Sequence, residues 1–444
     1  MSSPTRTRTE AGVAPPVTGS GWVAQAASYG FSFWCLAATC ALLPSYNVRW
    51  HVGPLPTDLL EVAILVTLTA YVVECWRDRV LPEWRSPYAL PAALFLLAGV
   101  VSVAVSPVHR EALGLFRAYV VEPLLLFVMV AAVARWEGKA RILLAALWLG
   151  GLAASIPNIL IIAEAARHHS LNSALAAPAV IYNNVNELAL FVVPLVAMAG
   201  AVLLHATDVW FRRAAALFVV VGGLGILISL SRGGYMALAV VILLLALTLP
   251  VRWWLVPALV VLGAAFSRLP PVAARLGHEV DVNDPNNTLV HRLKVWTATL
   301  RMLRDHPIFG GGLSGYPATV EPYRVAAGAD PLQYPHNILL NFWTETGILG
   351  VVAFAWILVQ AFRYTLLGWR RAGQAWRPYH LGVAIALVAI IVHGLVDVPY
   401  WKNDLAAEFW ILIGISLAGL RAEGLVHSQP RRSSPVTSRP EGHG

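Results

Sequence analysis

Apolar runs of roughly membrane-spanning length recur along this chain, separated for the most part by short polar connections. A membrane-crossing helix needs about 20 predominantly apolar residues. Twelve stretches meet that need, near 26–44, 58–76, 88–106, 115–134, 142–163, 187–206, 214–231, 234–250, 253–268, 337–366, 378–396 and 405–421. The pattern predicts an all-α integral membrane protein with about 12 transmembrane helices. The tenth run is overlong, and Gly347 marks a candidate break within it. One polar stretch, residues 269–335, is much longer than the other connections. The expected organisation is a polar tail at 1–25, nine spans over 26–268, the long segment at 269–335, three spans over 336–422 and a second tail at 423–444. Both tails have the Ser-, Pro- and Gly-rich composition of disordered segments.

The short connections set an orientation. One set carries Arg77, Arg79, Arg85, Arg135, Lys139, Arg141, Arg212, Arg213, Arg252, Arg363, Arg370, Arg371 and Arg377. The other carries only Arg49, Arg110, Arg167, Arg232 and Lys402. The positive-inside rule places the first set, and with it both termini, in the cytoplasm. The 269–335 segment and Arg232 are then expected outside.

Composition agrees with the membrane reading. The 444 residues are 58% hydrophobic and 13% charged, with a mean hydropathy of +0.65. A soluble domain carries roughly a quarter charged residues. The net charge of +8 is scattered singly between apolar runs, with no basic, aromatic-interleaved stripe to follow a phosphate backbone, so no nucleic-acid partner is expected. Cys35, Cys40 and Cys75 all lie in or beside apolar runs, which supports neither a disulfide framework nor a metal site. Without a small-residue cleavage site after a short apolar core, the first span reads as an uncleaved helix.

The long polar segment has its own pattern. In residues 291–304, Leu293, Trp296, Leu300 and Leu303 fall on one helical stripe, with Arg292, Lys294, Arg301 and Arg304 largely elsewhere. This predicts an amphipathic helix lying on the membrane or over the bundle, ended by Asp305-His306-Pro307. Gly310-x-Gly312-x-x-Gly315 matches the dinucleotide fingerprint in letters only. That fingerprint requires a preceding strand and a following helix, and here a helix precedes, so the run reads as a turn needing positive φ.

Arg232 stands between two spans with almost no loop, against the positive-inside pattern. Ionisable groups that close to hydrocarbon are usually functional, and a snorkelling arginine in a tight hairpin is the alternative. Arg292 and His336 lie toward opposite ends of the polar segment. Guanidinium groups bind phosphate oxygens bidentately, and a histidine can take a proton from an attacking hydroxyl. Residue types and spacing point no further than an external anion site, and a solvated helix face for Arg292 and an interfacial histidine for His336 stay open.

The run His336-Asn337, nine residues, Gly347-x-x-Gly350 resembles the motif of the O-antigen ligase and polymerase family. The stretch NNVNELAL (Asn183 to Leu190), the turn Ser231-Arg232-Gly233-Gly234 and the segment from Arg292 to Tyr316 resemble that family in the same order. The resemblance covers about residues 180–410. It implies a GT-C-like membrane glycosyltransferase, with an external cap containing short amphipathic helices. The implied donor is a glycan on undecaprenyl pyrophosphate, and the implied acceptor is a sugar hydroxyl of lipid A-core in a ligase or of another lipid-linked repeat in a polymerase. It implies an inverting transfer, without metal, nucleotide sugar or other cofactor, on the outer face of the bacterial inner membrane. Carried over by position, His336, Arg232 and Arg292 are the implied catalytic residues, and Asn337, Tyr316 and Asn186 are implied substrate contacts. Two residues of the fourth span join them as candidate contacts. Glu122 is costly there, and a neutralised core carboxyl is its alternative; Arg117 suits a lipid phosphate. His393 and Asp397, one turn apart near the end of the eleventh span, are a supporting pair or a buried structural one. The rival class is a small-anion transporter, whose sites lie near the bilayer midplane.

Overall fold

The computed structural model describes residues 29–53, 55–170, 180–182, 184–284 and 287–426. The expected tail at 1–25 and nearly all of that at 423–444 lie outside the described residues, as does Asn183. Each predicted run has a helix over it: α1 (Phe31–Ala41), α2 (Leu59–Arg77), α3 (Ala89–Val105), α4 (His109–Val133), α5 (Glu137–Arg167), α6 (Val185–His205), α7 (Val209–Ile228), α8 (Arg232–Leu247) and α9 (Arg252–Phe266). The polar segment folds into α10 (Pro270–Gly277), α11 (Thr288–Asp305) and α12 (Tyr316–Ala327), and α13 (Ile338–Arg371), α14 (Arg377–Gly394) and α15 (Asn403–Ala422) follow. Eight of these helices are long and apolar enough to cross a membrane; α1, α3, α8 and α9 are apolar but shorter. The chain is an all-α, multi-pass membrane protein. Its sole sheet among the described residues is a hairpin, β1 (Arg49–Val52) with β2 (Leu55–Asp58), in which Arg49 faces Asp58.

Burial sorts the helices. Helix α15 is enclosed on every side, with 94% of its apolar window buried, and packs on α4 and α14. Helix α9 has no buried residue, as fits a peripheral helix facing lipid. An aromatic cluster of Phe95, Phe342, Phe354, Tyr400, Trp401 and Phe409 joins α3, α13 and α15. Aromatic pairs of this kind add about 0.5–1.5 kcal/mol each beyond the area they bury.

Helix α13 breaks at Gly347, where φ is +65° and ψ −173°. A Cβ there would sit 2.3 Å from the carbonyl oxygen of Ile308, so only glycine admits the connection from α11 to α12 against the helix. That connection is pinned by Gly311 N–H to Thr344 O (2.8 Å), Ile348 N–H to Ile308 O (2.9 Å) and Trp343 Nε1–H to Pro307 O (2.7 Å). Gly310 (φ +64°) and Gly312 (φ +76°) belong to this turn, and a Cβ on either would strike backbone of Trp343 or Ser106. The dinucleotide letters are therefore a turn with close backbone approach.

The phase expected for α11 needs correction. Its buried stripe is Val295, Ala298, Thr299, Met302 and Leu303, of which Ala298, Thr299, Met302 and Leu303 pack against α12. Leu293 and Leu300 are exposed, at 49% and 53%. Small and medium side chains let α11 and α12 approach closely; of the expected stripe Leu303 is buried in this contact, while Leu293 and Leu300 face outward.

Candidate functional site

The helix that follows His336, α13, is capped by Asn337, whose side-chain oxygen accepts from Leu340 N–H (3.1 Å) and whose Nδ2 donates to Leu395 O (3.0 Å). One asparagine thus caps α13 and ties it to the chain leaving α14. His336 precedes the cap at φ +50°, an uncommon conformation for a non-glycine residue. Its loop is fixed from above by Trp296 Nε1–H to Pro335 O (2.8 Å). The Tyr334 ring meets the imidazole edge-on, centroids 4.7 Å apart.

In this pose His336 Nδ1 lies 3.2 Å from Asp397 Oδ1, which also accepts from Val398 N–H at 3.0 Å. The Asp397 side chain is 4% exposed. Burial works against its charge, yet the His336 hydrogen bond and the fields of His336, His393 and Arg292 hold its carboxyl below the usual value. An ionised carboxylate can only accept, so Nδ1 is the donor, and in the neutral imidazole Nε2 is then the nitrogen with the lone pair. Burial lowers the Arg292 guanidinium pKa and the Asp397 charge opposes that; an arginine stays cationic regardless.

Arg232 reaches the same end of the bundle from α8. Ser231 caps that helix by accepting from Gly234 N–H (3.2 Å), so the positive end of the helix dipole lies beside the guanidinium. Gly233 is required here, because a Cβ would lie 2.7 Å from His393 Cδ2. Arg232 is ion-paired with Glu279. Glu279 also caps α11, accepting from Thr288 N–H (3.3 Å), Thr288 Oγ1–H (2.8 Å) and Leu289 N–H (2.9 Å). Arg292 Nη1 donates to Thr288 Oγ1 (3.4 Å). The two arginines are therefore linked through one carboxylate and one hydroxyl.

The structure brings together His336, Arg292, Arg232, Asn337, His393 and Asp397. It places the remaining candidates elsewhere. Tyr316 is 1% exposed inside the cap, its hydroxyl 2.8 Å from Thr299 Oγ1; burial pushes its pKa to about 12 despite that bond. Its position is that of a core tyrosine. Arg117 lies in a π-helical turn (Arg117–Val121) and pairs with Glu61 at 2.5 Å and Glu122 at 3.3 Å. The second contact lacks hydrogen-bond geometry. Glu122, 2% exposed, faces Arg117, whose side chain is 45% exposed and bridges the buried Glu122 and Glu61. Asn186 stands in the first turn of α6, its N–H held by Asn184 (3.0 Å). The side-chain contacts there belong to its neighbour Glu187, which pairs with Lys402 and accepts from Tyr46 OH (2.9 Å). Among the described residues no three or more His, Cys, Asp or Glu converge as a metal site.

Residue-by-residue reading missed Glu279 and Trp296 as supports. Glu279 sits in an ordinary polar stretch and meets Arg232 only through the fold. Trp296 was legible as part of an apolar stripe, not as the donor that holds the His336 loop.

Residues 214–355 match the family model Wzy_C, described as O-antigen ligase. That range contains Arg232, Arg292, His336 and Asn337. No curated protein matches the chain.

Proposed function

We propose that this chain, with its O-antigen ligase family domain at residues 214–355, is a membrane glycosyltransferase using a polyprenyl-linked donor. Its coarse class, an O-antigen ligase or polymerase type of membrane enzyme, rests on the family match and the apolar helices. The finer reading is transfer of a glycan from undecaprenyl pyrophosphate to a sugar hydroxyl of lipid A-core. The observation that carries it is an imidazole held on a buried carboxylate with two guanidinium groups at the same end of the bundle.

In this mechanism the acceptor hydroxyl gives its proton to His336 Nε2 as its oxygen bonds the anomeric carbon. The bond from that carbon to the pyrophosphate oxygen breaks, and the electron pair leaves with the phosphate. Arg232 and Arg292 stabilise the charge that develops there, a term of about 10²–10³ in kcat for each well-placed donor. Attack opposite the leaving group inverts the anomeric carbon. Asp397 stabilises the imidazolium, and a general base of this type contributes about 10²–10⁴. Glu279 shares Arg232 with the incoming diphosphate. The distribution of Lys and Arg in the short connections supports placing this end outside the inner membrane and both termini in the cytoplasm.

The test uses purified protein in nanodiscs with undecaprenyl-pyrophosphate glycan and rough lipopolysaccharide. Modified lipopolysaccharide on gels is the expected product of wild type, with Arg232→Ala and Arg292→Ala each reduced about 10²–10³-fold. Longer lipid-linked glycan without modified lipopolysaccharide would identify a polymerase. Normal rates in both arginine variants would overturn the site.

A further inference from the structure

The outward face of α11 carries chemistry that the transfer site does not use. Leu293, Lys294, Thr297 and Arg301 of α11 and Ala326 of α12 line a groove of about 360 Å³. It lies on the side of α11 away from Ala298 and Met302, which are buried against α12.

The charges around the groove do not balance. Most acids of the cap have partners: Glu279 with Arg232, Asp284 with His278 (2.7 Å), Asp330 with His291 (2.8 Å) and Glu321 with Arg324 (2.5 Å). Asp305 accepts from Tyr323 OH (2.7 Å) and Asp281 from Asn283 N–H (2.9 Å). Lys294, Arg301 and Arg304 are exposed and have no ion pair among the described residues. Beside them Leu289, Leu293 and Leu300 are 46–53% exposed. An apolar stripe flanked by unpaired cations is the pattern of a helix seated at the boundary of headgroups and acyl chains.

Position supports a lipid occupant. Helix α9 has no buried residue and ends at Phe266, and α10 begins at Pro270, so the cap starts within one turn of an apolar helix end. At its other end the cap rejoins the bundle through α13, which begins at Ile338. Between α9 and α11 the chain also exposes Leu269 (48%) and Leu276 (39%).

We propose that the α11–α12 groove binds the phosphate of an anionic phospholipid headgroup through Lys294 and Arg301, with Leu293 and Leu300 resting against the lipid. The contact would seat the helix bearing Arg292 at the membrane surface.

The test is lipid binding by the intact protein in detergent, read as bound-lipid adducts in native mass spectrometry. Phosphatidylglycerol and phosphatidylcholine are titrated against wild type, Lys294→Glu/Arg301→Glu and the neutral Lys294→Gln/Arg301→Gln. The charge-reversed variant is expected to bind phosphatidylglycerol about tenfold more weakly or worse. The neutral variant should fall between, phosphatidylcholine binding should be equal in all three, and glycerol phosphate should not displace the lipid from wild type. Unchanged thermal unfolding of the glutamine variant shows that the fold is intact. Equal phosphatidylglycerol binding in wild type and both variants would overturn the proposal. So would displacement by glycerol phosphate, which would mark a soluble-anion site, or an equal loss for phosphatidylcholine. A charge reversal that leaves phosphatidylglycerol binding intact but raises the KM for a phosphorylated glycan acceptor would also overturn it. The lipid-binding readout involves no sugar transfer, so it stands or falls apart from the proposed activity.

Discussion

Replacing Asp397 by Asn removes one negative charge and almost no volume, from a side chain that is 4% exposed. In wild type the carboxylate accepts from His336 Nδ1 at 3.2 Å, which leaves Nε2 free to take a proton. As that proton arrives the imidazole becomes a cation next to the carboxylate. Two unit charges about 4 Å apart interact by about 4 kcal/mol at an effective dielectric constant near 20. That upper figure corresponds to roughly a thousandfold in rate. An asparagine keeps a weaker hydrogen bond if its oxygen faces Nδ1, so the expected loss is about 10²–10³ in kcat. KM for the donor should change little, because Asp397 acts through His336. The Asp397 carboxyl is held below its usual value. A carboxylate depressed in the folded state gives stability that is present above its unfolded pKa, near 4, and lost as pH falls through the still lower folded value. The carboxylate is therefore ionised throughout about pH 5.5 to 8, and the two rates are compared at one pH within that window. The assay is glycan transfer in nanodiscs under single-turnover conditions, with thermal unfolding checked in parallel. A variant within threefold of wild type, or one whose loss lies wholly in donor KM, would refute the positioning role.

Three further outcomes follow from the same contacts. Tyr316→Phe removes the hydroxyl contact with Thr299 and should cost about 1 kcal/mol of stability, seen by thermal shift, with no change in either KM; a large KM effect would restore Tyr316 as a substrate contact. Gly347→Ala forces a Cβ toward Ile308 O at positive φ and should destabilise by at least about 1–3 kcal/mol, read as loss of folded protein in size-exclusion chromatography. Glu279→Gln keeps acceptor capacity for the α11 cap but removes the carboxylate charge paired with Arg232. Because a partly exposed ion pair is worth about 0.2–1 kcal/mol, donor KM should fall up to about fivefold; a rise would mean that Glu279 chiefly orients the arginine.

The helices were legible because lipid demands long apolar runs, and each of the twelve runs has a helix over it. Gly347 was legible as a break because glycine alone tolerates that conformation among packed backbone. The face of α11 was not. Hydrophobicity picked Leu293 and Leu300, whereas the cap core chose Ala298, Thr299 and Met302, for which close helix approach outweighs side-chain size. The resemblance put Arg232, Arg292 and His336 in one site, and their convergence depends on contacts no local pattern contains. Glu279 joins Arg232 to the α11 cap, and Asp397 crosses from the end of α14 to the start of α13. Glu122 is a candidate because charge in a span is costly and Arg117 because it suits a lipid phosphate, and the fold sets the two against each other.

The central claim is that His336 accepts the proton of an acceptor hydroxyl during glycan transfer. The most direct measurement compares wild type with His336→Ala, both purified in nanodiscs with lipid-linked glycan donor and lipopolysaccharide acceptor, with products resolved on gels. The account predicts transfer by wild type and a loss of at least about 10²–10⁴-fold in the variant, with donor binding and thermal unfolding retained. Transfer at the wild-type rate by a folded His336→Ala protein would contradict it.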